Sequence, residues 1–193
     1  MDKRITCCLA AILIGSFFLT SCCSDTDLKI INPLRAWIPY KSQQELKFKS
    51  EFGDTIIFNA VTREYNQQAT DKACGAYDIQ TIQTSLSTPS DSTFSTLITI
   101  SHEVVFGIKV YSLNTKANNL DIKFNTVSEL FISEDFRDKY LQELPVNGKT
   151  YQQVLHVYGN RMPGNLFFAD ILYAKNFGLV GFKTFDEKWY LLI

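Results

Sequence analysis

The chain predicts an all-β fold with at most a short helix, preceded by a signal helix that is cleaved. Three observations lead there. Apolar and polar residues alternate with a period of two, as in Leu120-Asp121-Ile122-Lys123-Phe124. Connections between such runs are short and carry turn chemistry, Asn147-Gly148 above all. Strands do not alternate regularly with helices, so no parallel α/β sheet is indicated. Short turns make chain neighbours antiparallel neighbours, and the expected architecture is an antiparallel β-meander forming a sandwich or half-barrel.

The first segment is not part of that fold. Lys3 and Arg4 precede an apolar run from Ile5 to Leu19, and small residues then lead to a cysteine. This is the layout of a signal peptide over residues 1–21. The run is too short to span a hydrocarbon core, which takes about 20 apolar residues as a helix. A polar stretch, Cys23-Ser24-Asp25-Thr26-Asp27, opens a tether over residues 22–33, and a single β-rich globular domain fills 34–193.

Within that domain, Arg35-Ala36-Trp37-Ile38-Pro39-Tyr40 lies close to Pro33 and contains Pro39, and reads as an edge strand or extended segment. Trp37 and Tyr40 are expected to pack over an end of the core, an exposed aromatic platform being the alternative. Gln44 to Ser50 places Leu46 and Phe48 on one face and Lys47 and Lys49 on the other. Glu51-Phe52-Gly53-Asp54 supplies a turn, and Thr55 to Tyr65 returns with apolar groups on both faces. Asn66 to Gly75 reads as a polar loop, followed by a thinly apolar strand from Tyr77 to Ser87. Thr88-Pro89-Ser90-Asp91-Ser92 breaks the pattern before the strands Phe94 to Ile100 and Glu103 to Leu113. Of these, Glu103 to Leu113 is the best core candidate, with Val104, Phe106, Ile108 and Val110 on one side.

Ser133-Glu134-Asp135 ahead of Phe136 and Tyr140 suits one or two helical turns, with Ser as cap and the aromatics four apart. A strand near Tyr140 to Val146 then meets Lys149 to Tyr158 across the Asn147-Gly148 hairpin. Gly159 to Asn165 is a loop, and Leu166 to Ala174, Leu179 to Phe185 and Lys188 to Leu192 close the chain as strands.

Removing residues 1–21 from 193 leaves 172, enough for one domain with a sizeable core. The formal charge of -1 moves to about -2 when Asp2, Lys3 and Arg4 leave. No basic footprint remains for nucleic acid. Of five cysteines, Cys7 and Cys8 depart with the signal and Cys22 ends it, leaving Cys23 and Cys74. An oxidising compartment permits a bridge between these two, but one pair is no disulfide framework; free thiols are the alternative.

Catalytic signatures are absent. Only His102 and His156 could serve a histidine mechanism, and each reads as a sheet-surface or satisfied core residue. There is no Gly-x-Ser-x-Gly elbow, no histidine pair at helical spacing, no phosphate-binding glycine loop and no metal-ligand spacing around Cys74. No cofactor or metal is implied. The one lead is that Ile56-Ile57-Phe58, Val104-Val105-Phe106 and Leu166-Phe167-Phe168 carry bulky groups on both faces. Either something covers the back face, or a curved sheet holds an apolar ligand such as an acyl chain.

Leu19-Thr20-Ser21-Cys22 resembles the bacterial lipobox. The resemblance implies cleavage between Ser21 and Cys22, thioether diacylglycerol attachment at Cys22, and acylation of the new amino terminus by a fatty acid such as palmitate. Two or more acyl chains make a stable anchor where one is marginal. The acidic tether is similar to the export signal of Bacteroidetes surface lipoproteins, with Thr26 interrupting the acids. Both faces of the outer membrane stay open.

A broader likeness runs along the mature chain. Trp37-Ile38-Pro39-Tyr40, Phe52-Gly53-Asp54-Thr55, Asn147 to Val154, Tyr173 to Phe182 and Trp189 resemble segments of small Bacteroidetes lipoproteins of uncharacterised activity. These are turn and core residues, so the likeness implies architecture and location and no chemistry. The expected role is a non-enzymatic interaction or structural module of the cell envelope, contacting a protein or glycan. A binder of lipid on a curved sheet and an envelope hydrolase are the alternatives.

Overall fold

The computed structural model describes residues 29–71, 75–89, 91–101, 105–112, 120–132, 138–158, 168–184 and 186–193. Among these residues, the regular structure is all antiparallel β apart from one helical turn, α1, at Asn32–Arg35. The first seven strands are β1 Gln43–Ser50, β2 Thr55–Asp71, β3 Gly75–Thr88, β4 Asp91–Ser101, β5 Val105–Ser112, β6 Leu120–Asn125 and β7 Leu130–Phe131. The remaining five are β8 Lys139–Val146, β9 Lys149–Tyr158, β10 Asp170–Ala174, β11 Gly178–Lys183 and β12 Trp189–Leu192.

All twelve lie in one sheet, in the order β7-β6-β5-β4-β3-β2-β1-β12-β11-β10-β9-β8. Consecutive strands pair throughout except β7 and β8, which form the two edges of the sheet, and one joint brings together strands far apart in the chain. There β1 meets β12, with Phe48, Lys49 and Ser50 opposite Leu192, Leu191 and Tyr190. Two meanders are thereby fused into one sheet, and the sheet curls into a nearly closed barrel.

Contacts across the interior show how far it curls. Phe106 of β5 lies 4.8 Å from Tyr173 of β10, ring centre to ring centre. Phe58 of β2 lies 5.6 Å from Phe182 of β11. The seam between the two edges is bridged by side chains: Phe124 of β6 sits 5.2 Å from Tyr140 of β8. The Tyr140 hydroxyl donates to Glu129, in the turn before β7, at 2.8 Å, and Gln153 Nε2 donates to the same hydroxyl at 3.0 Å. Burial and the Glu129 carboxylate push the Tyr140 phenol up to about 12.

The segment expected as an edge strand is instead a plug. Pro33 suits the first turn of α1, where its missing N–H costs no helix bond. The turn delivers Leu34, Trp37 and Tyr40 into the barrel, and Ile30 ahead of it is buried as well. Trp37, 2% exposed, packs against Phe106 and Phe124 at 5.4 and 5.3 Å, so it belongs to the core and forms no surface platform. Its carbonyl accepts from the Tyr173 hydroxyl, and the Ala36 carbonyl accepts from Asn176 N at 2.7 Å. With Phe48, Phe58, Phe106, Phe124 and Phe182 fully buried beside it, the interior is packed with aromatic rings.

Several local expectations need correcting. Asn66 to Asp71 continues β2 as strand, pairing with Gly75 to Gln80, where a loop was expected from the run of Asn, Gln and Thr. Backbone pairing overrides weak β propensity there. The strand expected near Tyr140 to Val146 is β8, while Ser133 to Arg137, where the helical turn was expected, falls outside the described residues. Phe168 precedes β10 rather than lying within it, and β7 was not anticipated because two residues carry no periodicity. The Asn147-Gly148 turn is as expected, both residues having positive φ.

Candidate functional site

Strands β9 to β12 are apolar on both faces. Leu155, Val157, Ile171, Tyr173, Leu179 and Phe182 enter the barrel core. On the outer face Val154, Leu172, Ala174 and Val180 form a second cluster with Val146 and Tyr151. Something must cover that outer face, and hairpin β8–β9 does so. Strand β9 pairs with β10 from Tyr158 to Val154 and then leaves it. Gln153 takes a φ of +52° at that point, and its carbonyl accepts from Lys175 N at 3.1 Å. The hairpin tip carries Val146 into contact with the outer cluster. Tyr151 packs edge-on against Phe177 of the β10–β11 turn at 5.0 Å, with Lys149 Nζ 4.1 Å from the Phe177 ring centre.

The cover is incomplete. Between the hairpin tip and the sheet lies an open recess of about 580 Å³. Leu144, Pro145 and Val146 form one side, and Leu172, Trp189 and Leu191 form the floor. Lys49 and Glu51 stand at the rim, both exposed. Its volume is in the range of sites that enclose small organic ligands.

His156 is one of the polar groups that line this recess, with Ser50 and Asn147. Its ring stacks on Tyr158 at 4.2 Å and meets the edge of Trp189 at 6.3 Å. Its Nε2 is buried and has no hydrogen-bond partner among the described residues. Desolvation pulls the imidazole below its usual range; Asp170 acts against this and Lys139 adds to it. At neutral pH the ring is therefore neutral, with one unsatisfied nitrogen. A buried polar atom left unpaired costs about 1–3 kcal/mol, so a partner from outside the chain would be favoured there.

No family model, no curated protein and no solved structure matches this chain.

The residues singled out by sequence fall in different places. Ser21, Cys22, Cys23, Cys74 and His102 lie outside the described residues. His156 is on the outer face with Val154, as the alternation required, but it is not a satisfied histidine. Trp189, Leu172 and Leu191 were missed as recess residues. The signal for them was available: Ile171-Leu172-Tyr173-Ala174 and Trp189-Tyr190-Leu191 are unbroken apolar runs, the same two-faced pattern noted elsewhere. Among the described residues no group of three His, Cys, Asp or Glu is placed to hold a metal.

Proposed function

We propose that this protein is a lipid-anchored cell-envelope lipoprotein that acts by binding rather than by catalysis. The observation that carries the reading is the contrast between the two faces of the sheet. The inner face is packed by the plug and the aromatic core, whereas the outer face keeps an open apolar recess with an unpaired His156 nitrogen. A ligand or partner is therefore met on the outside.

The anchor is the lipobox at Leu19 to Cys22, with acyl chains on Cys22. The body itself is not built to sit in lipid, because the outer face of β1 presents exposed Glu45, Lys47 and Lys49 where a membrane barrel needs an apolar band. Partners are an envelope protein, a glycan or a small apolar ligand. Among the described residues, His156 has no carboxylate or hydroxyl nucleophile hydrogen-bonded to it, which favours binding over hydrolysis at this recess.

A photo-reactive residue at Leu191 in the recess, compared with one at the exposed Asn59 of β2, tests this in intact cells. Crosslinks to envelope components from position 191 and none from 59 are expected. Equal labelling from both, or none from either, would remove the recess as a working surface.

A further inference from the structure

Resting on the reading of the recess as a binding surface, we infer its ligand class: an uncharged amphiphile with an aliphatic body and one neutral hydrogen-bonding group, such as an acyl ester or alcohol. Its walls and floor are mainly aliphatic, from Leu144, Pro145, Val146, Leu172 and Leu191, with Trp189 the one large ring. Aliphatic walls favour a hydrocarbon body, because dispersion contact and water exclusion need no directional partner. The volume of about 580 Å³ exceeds what a single side chain fills and suits a chain of some ten carbons with its head.

The polar part of the ligand follows from charge. His156 is neutral, since desolvation depresses its pKa. The rim carries one cation, Lys49, and one anion, Glu51, and neither shares an ion pair with another described residue. A carboxylate head attracted to Lys49 meets Glu51, and an ammonium head attracted to Glu51 meets Lys49. The rim thus selects against neither sign strongly but rewards neither. What the site does reward is a hydroxyl or carbonyl that reaches His156 Nε2, which has no partner among the described residues. A hydroxyl, donor and acceptor at once, satisfies either tautomer of the ring.

The test uses the full mature chain and three probes of equal tail length, kept below their micelle thresholds: monodecanoylglycerol, decanoate and decylammonium. Binding is read from the emission of Trp189; Trp37 is sealed in the core and supplies a constant background. Monodecanoylglycerol should shift the emission saturably, with at least about tenfold tighter binding than either ion. His156→Phe, which keeps the stacking on Tyr158, should weaken it about tenfold, the equivalent of one hydrogen bond. Leu172→Phe, which fills the floor without adding an indole to the recess, should abolish it, with an unchanged circular dichroism spectrum showing that the barrel is intact. No saturable shift, equal binding of an ion, or unaltered binding in His156→Phe would overturn the assignment. If amphiphiles fail while position 191 still crosslinks to an envelope protein, the binding role stands and the ligand class alone is wrong.

Discussion

The Tyr40 hydroxyl accepts a hydrogen bond from the backbone N–H of Leu179 at 2.7 Å, so a residue of the N-terminal plug satisfies a buried donor of β11. The neighbouring Gly178 has a φ of +81°, and a Cβ there would overlap the Tyr40 ring and its hydroxyl. The plug and the β10–β11 turn are therefore fitted to each other, and the plug is a structural member of the barrel.

That fit can be isolated by comparing two glycines. Gly148 also has positive φ, at +75°, but a Cβ there meets nothing within 4 Å. Both Gly→Ala changes pay about 1–2 kcal/mol for the left-handed backbone. Gly178→Ala adds the overlap with Tyr40, which should cost about 1–3 kcal/mol more. Urea denaturation of the two variants checks this; equal loss at both would mean that Tyr40 yields freely.

Tyr40 and Tyr173 also make the barrel sensitive to alkali. Burial raises both phenol pKa values in the folded state. The folded protein thus holds protons that the unfolded chain releases above about pH 10. Their contribution is complete below that pH and is lost as pH rises past it. Thermal melts between pH 8 and 11 should show Tm falling from about pH 10 upward, and Tyr173→Phe should lessen the slope.

His156 acts in the opposite direction on pH. Its folded pKa is depressed by desolvation, with Asp170 opposing and Lys139 reinforcing the shift. The unfolded chain then binds the proton more readily, so stability is complete above about pH 6.5 and declines as pH falls below it. His156→Phe should flatten Tm against pH between about 7 and 5. A parallel curve for the variant would assign the acid sensitivity to other groups.

At the seam, Tyr140→Phe removes the hydrogen bonds to Glu129 and from Gln153. The expected loss is about 0.5–1.5 kcal/mol for a bond of this kind. Hydrogen exchange should quicken at Leu130 to Ile132 and Lys139 to Leu141 while the β2–β3 ladder keeps its protection. Faster exchange spread evenly over the sheet would show that the seam is not a local latch.

The strand pattern was legible where one face was wet. Leu46 and Phe48 against Lys47 and Lys49 announced β1 and its inward side, and Asn147-Gly148 fixed the β8–β9 register. The plug was not legible, because Trp37-Ile38-Pro39-Tyr40 lacks a period of its own and takes its place from partners 136 to 139 residues away. Closure was also hidden. The β1–β12 joint depends on pairing between the two ends of the domain, which short turns do not specify. The recess was half visible: contiguous apolar runs said that both faces of the last strands are covered, but not that a folded-back hairpin covers them incompletely.

The proposed place of action rests on the fatty acids proposed at Cys22, and intact-mass spectrometry of the protein extracted from membranes tests that directly. The expected species begins at Cys22 and carries the added mass of a diacylglyceryl group and an N-acyl chain. A species that retains residues 1–21, or begins elsewhere without acyl mass, would contradict the lipid anchor and leave the outer recess facing solution.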